Sequence, residues 1–164
     1  MLGSWELSDK DFIGLITNTI SWFIILGGWF VVNRQNNNRE KRKELRSAID
    51  EIKLDVAAFT ELGLNYHMGG ATEIERYKII SYSRKVNRKV HRLPLPWVEI
   101  NSIKHYLLQH KKKVTMINFF GFENKVATLS FNCIEIVSIE NAAESLIDDL
   151  ERAFSIKCTR YELF

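Results

Sequence analysis

Residues Phe12 to Val32, FIGLITNTISWFIILGGWFVV, run for 21 positions without a charge. At about 1.5 Å per residue such a helix is roughly 31 Å long, matching a hydrocarbon core of about 30 Å. The pattern predicts a membrane span; a core helix of this length ordinarily carries a charged face. Beyond it the apolar positions become periodic. Leu45, Ile49, Ile52, Val56 and Phe59 recur at 4-3-4-3 spacing, an a/d seam on a helix of about 38–62. Gly63 and the Gly69-Gly70 pair are expected to close it. A second helix, about 72–92, must end before Pro94. The Pro94-Leu95-Pro96 turn opens a third, with Trp97, Ile100, Ile103 and Leu107 on one face and its end near His110 to Lys113. A fourth, Ile139 to Phe154, turns Ile139, Ala143, Leu146 and Leu150 inward, with Ser138 as its cap. Residues 114–137 are rich in β-branched and aromatic side chains. Leu129, Phe131 and Cys133 alternate there with Ser130 and Asn132, so helix and hairpin both remain open.

The resulting fold class is mainly α: a single N-terminal transmembrane helix plus a cytoplasmic helical domain, with room for one short β-hairpin. The expected organisation is a short extracytoplasmic N-terminus (1–11), the span (12–32), a juxtamembrane stalk helix (33–62) and the helical domain (63–164). The Asn-rich stretch Asn33 to Asn38 is a candidate bend, because the polar stripe of the span and the seam from Leu45 are out of heptad phase.

Charge sets the orientation. Glu6, Asp9 and Asp11 precede the span, with Lys10 against them. Arg34, Arg39, Lys41, Arg42, Lys43 and Arg46 follow it, opposed by Glu40 and Glu44. The Lys/Arg excess marks the cytoplasmic side, so the C-terminal part is expected in the cytoplasm and the chain in the inner, cytoplasmic membrane. A cleaved signal peptide is disfavoured by the acidic start, the length of the apolar run and its end in Phe30-Val31-Val32-Asn33. Cys133 and Cys158 then face a reducing compartment, where a disulfide is not expected.

The net charge of +3 conceals a concentration of cations. Between Arg76 and Lys113 stand eleven Lys or Arg and a single acid, Glu99. Arg84, Arg88 and Arg92 are spaced i, i+4, i+8 on the second helix, with Lys85 and Lys89 alongside. Such a row, roughly 6 Å between guanidiniums, can follow a chain of phosphates. Lys111, Lys112 and Lys113, next to His110, extend it. Tyr77, Tyr82, Trp97 and Tyr106 are interleaved and suited to stacking bases of a single strand. A solvated helix face, or attraction to anionic headgroups, accounts for the same cations without a nucleic acid.

Within the span, Gly14, Asn18, Ser21, Ile25 and Gly28 share one stripe, with Thr17 beside it. Small and polar residues on one face are what membrane helices pack through, and Asn18 is costly to leave against lipid. A homo-oligomer is therefore expected, and a single span can line a pore only in that form. Single-pass anchors also carry a few such residues with no role in packing. No Gly-rich phosphate loop, HExxH or nucleophile elbow is present, and His105 and His110, five positions apart, fall on different helix faces and read as surface residues. No enzyme activity, metal or cofactor is expected.

The span, the stripe Gly14-Asn18-Ser21 and the basic helix Arg84-Arg88-Arg92 together resemble, in layout over the whole chain, the channel-forming membrane effector of the Hailong bacterial anti-phage system. That resemblance implies an oligomeric channel and a partner nucleotidyltransferase whose single-stranded DNA product holds it shut. The expected function is thus an oligomeric, ion-conducting membrane effector regulated by a polyanion such as a single-stranded oligonucleotide. The alternative is a non-conducting membrane-anchored adaptor that docks a protein partner.

Overall fold

A computed structural model describes residues 9–69, 72–116, 129–131 and 133–162. Four helices are present and, among the described residues, no strand: α1 (Asp9–Gly69), α2 (Glu73–His91), α3 (Trp97–Met116) and α4 (Ile134–Glu162). The hairpin considered for 114–137 falls largely outside the described residues. At its edges, α3 runs on to Met116 and Cys133 N–H closes a turn on the Ser130 carbonyl.

The chain divides into two compact units, 1–41 and 42–164. In the first, the described residues form one apolar helix on which every side chain from Phe12 to Asn37 is exposed. By length and composition this helix is able to cross a membrane. Helical hydrogen bonding continues through Asn33 to Asn38, so the expected bend is not seen as a break in α1. Asparagine lowers helix propensity by only a fraction of a kcal/mol per residue, too little to stop a helix already propagating.

In the second unit the helices pack around two hydrophobic clusters. The seam Leu45, Ile49, Ile52, Val56 and Phe59 is buried to the last residue, inside a single chain rather than between subunits. Its first four residues share a cluster with Val86 and Val90 of α2, Ile103 and Leu107 of α3, and Ala143, Leu146 and Leu150 of α4. Phe59 packs in the other with Ile79, Val114 and Ile139. Each fully buried aliphatic side chain contributes about 1.5–3 kcal/mol. Polar pairs fix the helix directions. Asp55 meets Lys85, and Glu51 meets Lys89, so α2 runs antiparallel to this part of α1. Arg46 reaches Glu151 at 2.7 Å while Phe59 shares a cluster with Ile139, so α4 runs antiparallel to α1. Thr60 meets His110, and His67 meets Val114, so α3 runs parallel to α1.

Gly63 does not end α1. A Cβ on Gly63 would lie 2.8 Å from Val114 Cγ1. The glycine leaves room for the Val114 side chain of α3, and the helix continues to Gly69. At the start of α2, Thr72 Oγ1 accepts the Glu75 N–H at 3.3 Å, and Glu75 Oε2 accepts the Thr72 N–H at 3.1 Å, a reciprocal capping box. Leu93 and Leu95 point into the core while Pro94 between them is exposed, which pins the α2–α3 turn. Two expectations fail locally. Ser138 is not a cap: it lies within α4 and donates to the Glu135 carbonyl at 2.8 Å, because burial of Ile136 extends the helix backwards. Trp97 shares a helix with Ile103 and Leu107 yet is 70% exposed, since at 100° per residue it stands about 120° from Ile103 and 80° from Leu107 around the helix.

Candidate polyanion-binding groove

The capped α2 carries its cations in two rows, and packing separates their fates. Lys85 and Lys89 turn toward α1. Lys85 Nζ donates to Asp55 Oδ1 at 2.7 Å and Lys89 Nζ to Glu51 Oε1 at 2.6 Å, and Lys89 also forms an ion pair with Asp55. Asp55 is 7% exposed. Burial pushes its carboxyl upward, but the two ammoniums outweigh that and hold it below the ordinary carboxylate value. Lys89 is shifted the other way: burial would lower it, and the Asp55 and Glu51 carboxylates raise it. Two of the cations expected to meet a polyanion are thus committed to holding α2 on α1.

Arg84 and Arg88, one helical position back from each, face away from α1. They line a groove of about 600 Å³ with Tyr77, Ile80, Ser81 and Asn87. Arg84 and Asn87 also border a second hollow of about 290 Å³ between α2 and α3, together with Ser83, Lys104, Leu107, Leu108 and Lys111. The two hollows share Arg84 and Asn87, so they adjoin along α2 and are together called the trough. No carboxylate lines either. Among the described residues, no acid is ion-paired with Arg84, Arg88, Lys104 or Lys111. Lys104 Nζ lies 5.1 Å from the centre of the exposed Trp97 ring, a cation–π contact that holds the ammonium along the α3 side. Arg92, Lys112 and Lys113 are exposed but border neither hollow. The structure therefore brings together Arg84, Arg88 and Lys111, adds Lys104, and diverts Lys85 and Lys89.

The stripe in the apolar helix is fully exposed. A Cβ on Gly14 or Gly28 would meet nothing within 4 Å. Thr17 Oγ1 donates to the Ile13 carbonyl at 2.9 Å and Ser21 Oγ to the Thr17 carbonyl at 2.8 Å. Their hydroxyls are satisfied within the helix. The Asn18 amide has no hydrogen bond among the described residues and keeps its full donor and acceptor set.

The pattern of charges did not reveal two buried histidines. His110, read as a surface residue, is 0% exposed. Its Nε2 lies 3.0 Å from Thr60 Oγ1 and its ring stacks edge-on to Phe59 at 5.1 Å. His67 is 1% exposed, and its Nε2–H donates to the Val114 carbonyl, in the last turn of α3, at 2.9 Å. The only available signal was spacing: His110 lies three positions after Leu107, on the buried face. Cys133 and Cys158 are not joined in a disulfide. Among the described residues no three His, Cys, Asp or Glu side chains converge to hold a metal.

Comparison of the chain with protein-family models, characterised proteins and solved structures finds no match.

Proposed function

We propose that the chain is a single-pass, oligomeric membrane effector whose helical domain senses a polyanion in the α2–α3 trough and whose apolar helices associate through the Asn18 stripe to pass ions. The observation that carries the reading is the division of α2's cations. Lys85 and Lys89 are neutralised by α1, while Arg84 and Arg88 join Lys104 and Lys111 in a trough without acids. A purely structural basic helix would have its charges paired or scattered. Here four border two adjoining hollows, one of which is also lined by the exposed ring of Tyr77. A single-stranded oligonucleotide supplies phosphates for the cations and a base for that ring. A neighbouring nucleotidyltransferase is a fitting source of such a ligand.

The test is made with the full chain in lipid vesicles. A labelled single-stranded oligonucleotide should bind with a log K that falls by roughly 0.7 per unit of log salt for each phosphate neutralised. Arg84→Glu combined with Lys104→Glu should abolish binding and leave the helical content intact, because both side chains are at the surface. Ion flux from the same vesicles, with and without the oligonucleotide, reports conduction, and Asn18→Leu should reduce it. Binding indifferent to salt and to the double substitution overturns the trough.

A second reading, a non-conducting adaptor, draws on one observation. Thr17 and Ser21 are satisfied within their own helix, so of the stripe's polar groups only Asn18 calls for a partner. It predicts a monomer in detergent and no depolarisation of expressing cells.

A further inference from the structure

The turn between α2 and α3 presents an apolar corner that the trough does not use. Leu93 and Leu95 anchor it in the core. Lys85 pairs with Asp55 and Lys89 with Glu51, so one turn further along antiparallel α2 the corner is level with the start of the Leu45 seam. Pro94 is exposed there, Trp97 is 70% exposed and Val98 is 75% exposed. Pro94 and Pro96 have no backbone N–H, which lowers the desolvation cost of covering this corner. From Arg84 to Val98 the sequence contains no acid, and the next one, Glu99, is buried. Arg92 is exposed at the C-terminal cap of α2 and Lys43 is exposed on α1 two positions before Leu45, with Glu44 the exposed acid beside it.

We infer that this corner, Pro94, Trp97 and Val98 flanked by Arg92 and Lys43, docks on the anionic lipid surface of the membrane that holds the chain. The inference rests on the reading of Phe12 to Val32 as a span. Two features choose lipid over another protein. Arg42, the first residue of the bundle unit, follows Val32 by only ten positions, about 15 Å of helix, so this end of the unit is tethered within reach of the headgroups. An exposed tryptophan beside cations is the composition that settles at a headgroup boundary, the ring in the interface and the charges on phosphates. Docking would orient the bundle and leave the trough, on the α2–α3 face, open to the cytoplasm.

The experiment uses the full chain with Trp5, Trp22 and Trp29 replaced by Phe, so that Trp97 alone fluoresces. It is reconstituted in phosphatidylcholine vesicles or in vesicles of equal phosphatidylcholine and phosphatidylglycerol, each with lipid brominated near the headgroup. Trp97 emission should shift to the blue and be quenched in the anionic vesicles, and both effects should fade at high salt. Lys43→Glu with Arg92→Glu should remove the quenching, as each cation near an anionic leaflet changes partitioning about fivefold. Lys78→Glu, the same charge change near the start of α2, should leave it unchanged. Water-like emission of Trp97 in both vesicle types, with helical content intact, overturns the inference. Carbonate extraction of the same vesicles reports the span separately: a chain that resists extraction while Trp97 stays wet keeps its anchor and loses the docking. If the chain is extracted while Trp97 was quenched beforehand, it loses the span and keeps the docking.

Discussion

His110 makes the stability of the helical domain sensitive to mild acid. Thr60 Oγ1 donates its proton to the Val56 carbonyl at 2.8 Å, so toward His110 it acts as acceptor for the Nε2–H at 3.0 Å. The ring is therefore the neutral tautomer with a bare Nδ1. That Nδ1 is buried without a hydrogen-bond partner, and protonating it would place a charge in the core beside Phe59. Burial accordingly lowers the His110 pKa from 6.5 to about 4. The folded state then binds fewer protons than the unfolded chain. The stabilisation is complete above pH 6.5 and is lost progressively as the pH falls toward about 4. The full effect is about 3 kcal/mol, of which about 2 kcal/mol should disappear between pH 7 and pH 5. For a unit of this size that lowers the melting temperature by roughly 5–10 °C. His67, whose pKa burial also lowers despite its bond to Val114, adds in the same direction. The assay is thermal unfolding of the full chain in detergent, followed by circular dichroism, for the parent and for His110→Gln. Gln retains an N–H donor for Thr60 and cannot titrate. The parent should lose more stability than the variant over this range, and the difference between the two slopes isolates His110. Parallel pH profiles for the two proteins would refute the assignment. Asp55 does not confuse the window, because its lowered pKa moves its own loss of stability below pH 3.8.

Two further substitutions probe the packing that positions the trough. Gly63→Ala gains up to about 1 kcal/mol of helix propensity but drives a methyl against Val114, a β-branched side chain with little freedom to move, at a cost of about 1–3 kcal/mol. A net loss of about 1 kcal/mol is expected in chemical denaturation, and Val114→Ala in the same molecule should relieve it; additivity of the two changes would argue against the contact. Asp55→Asn should destabilise by about 1–2 kcal/mol, less than for a fully buried pair because Lys85 is half exposed. By releasing Lys85 it should also steepen the salt dependence of oligonucleotide binding, and an unchanged slope would show that the freed ammonium does not reach the ligand.

What the sequence disclosed and what it withheld divide along one physical line. Local periodicity is a property of a single helix, and it identified the seam from Leu45 to Phe59 and the inward face Ile139, Ala143, Leu146 and Leu150, every one of which is buried. Helix limits depend on what lies across from them. Gly63 reads as a stop in one dimension, yet in the fold it admits Val114, and α1 passes through it. Charge spacing gave α2 a single basic band, because Lys85 and Lys89 are indistinguishable from Arg84 and Arg88 until α1 brings Asp55 and Glu51 alongside one row. Lys104 was missed for the converse reason: twenty residues separate it from Arg84 in sequence, and only the packing of α3 on α2 makes them neighbours in one hollow. His110 stands at the head of a run of three lysines and takes its apparent character from them, although the helix turns it 100° away from Lys111 and into the core. A trough made this way is selective in composition: Lys85 and Lys89, which hold α2 on α1, are already paired, and four other cations, Arg84, Arg88, Lys104 and Lys111, border the two hollows.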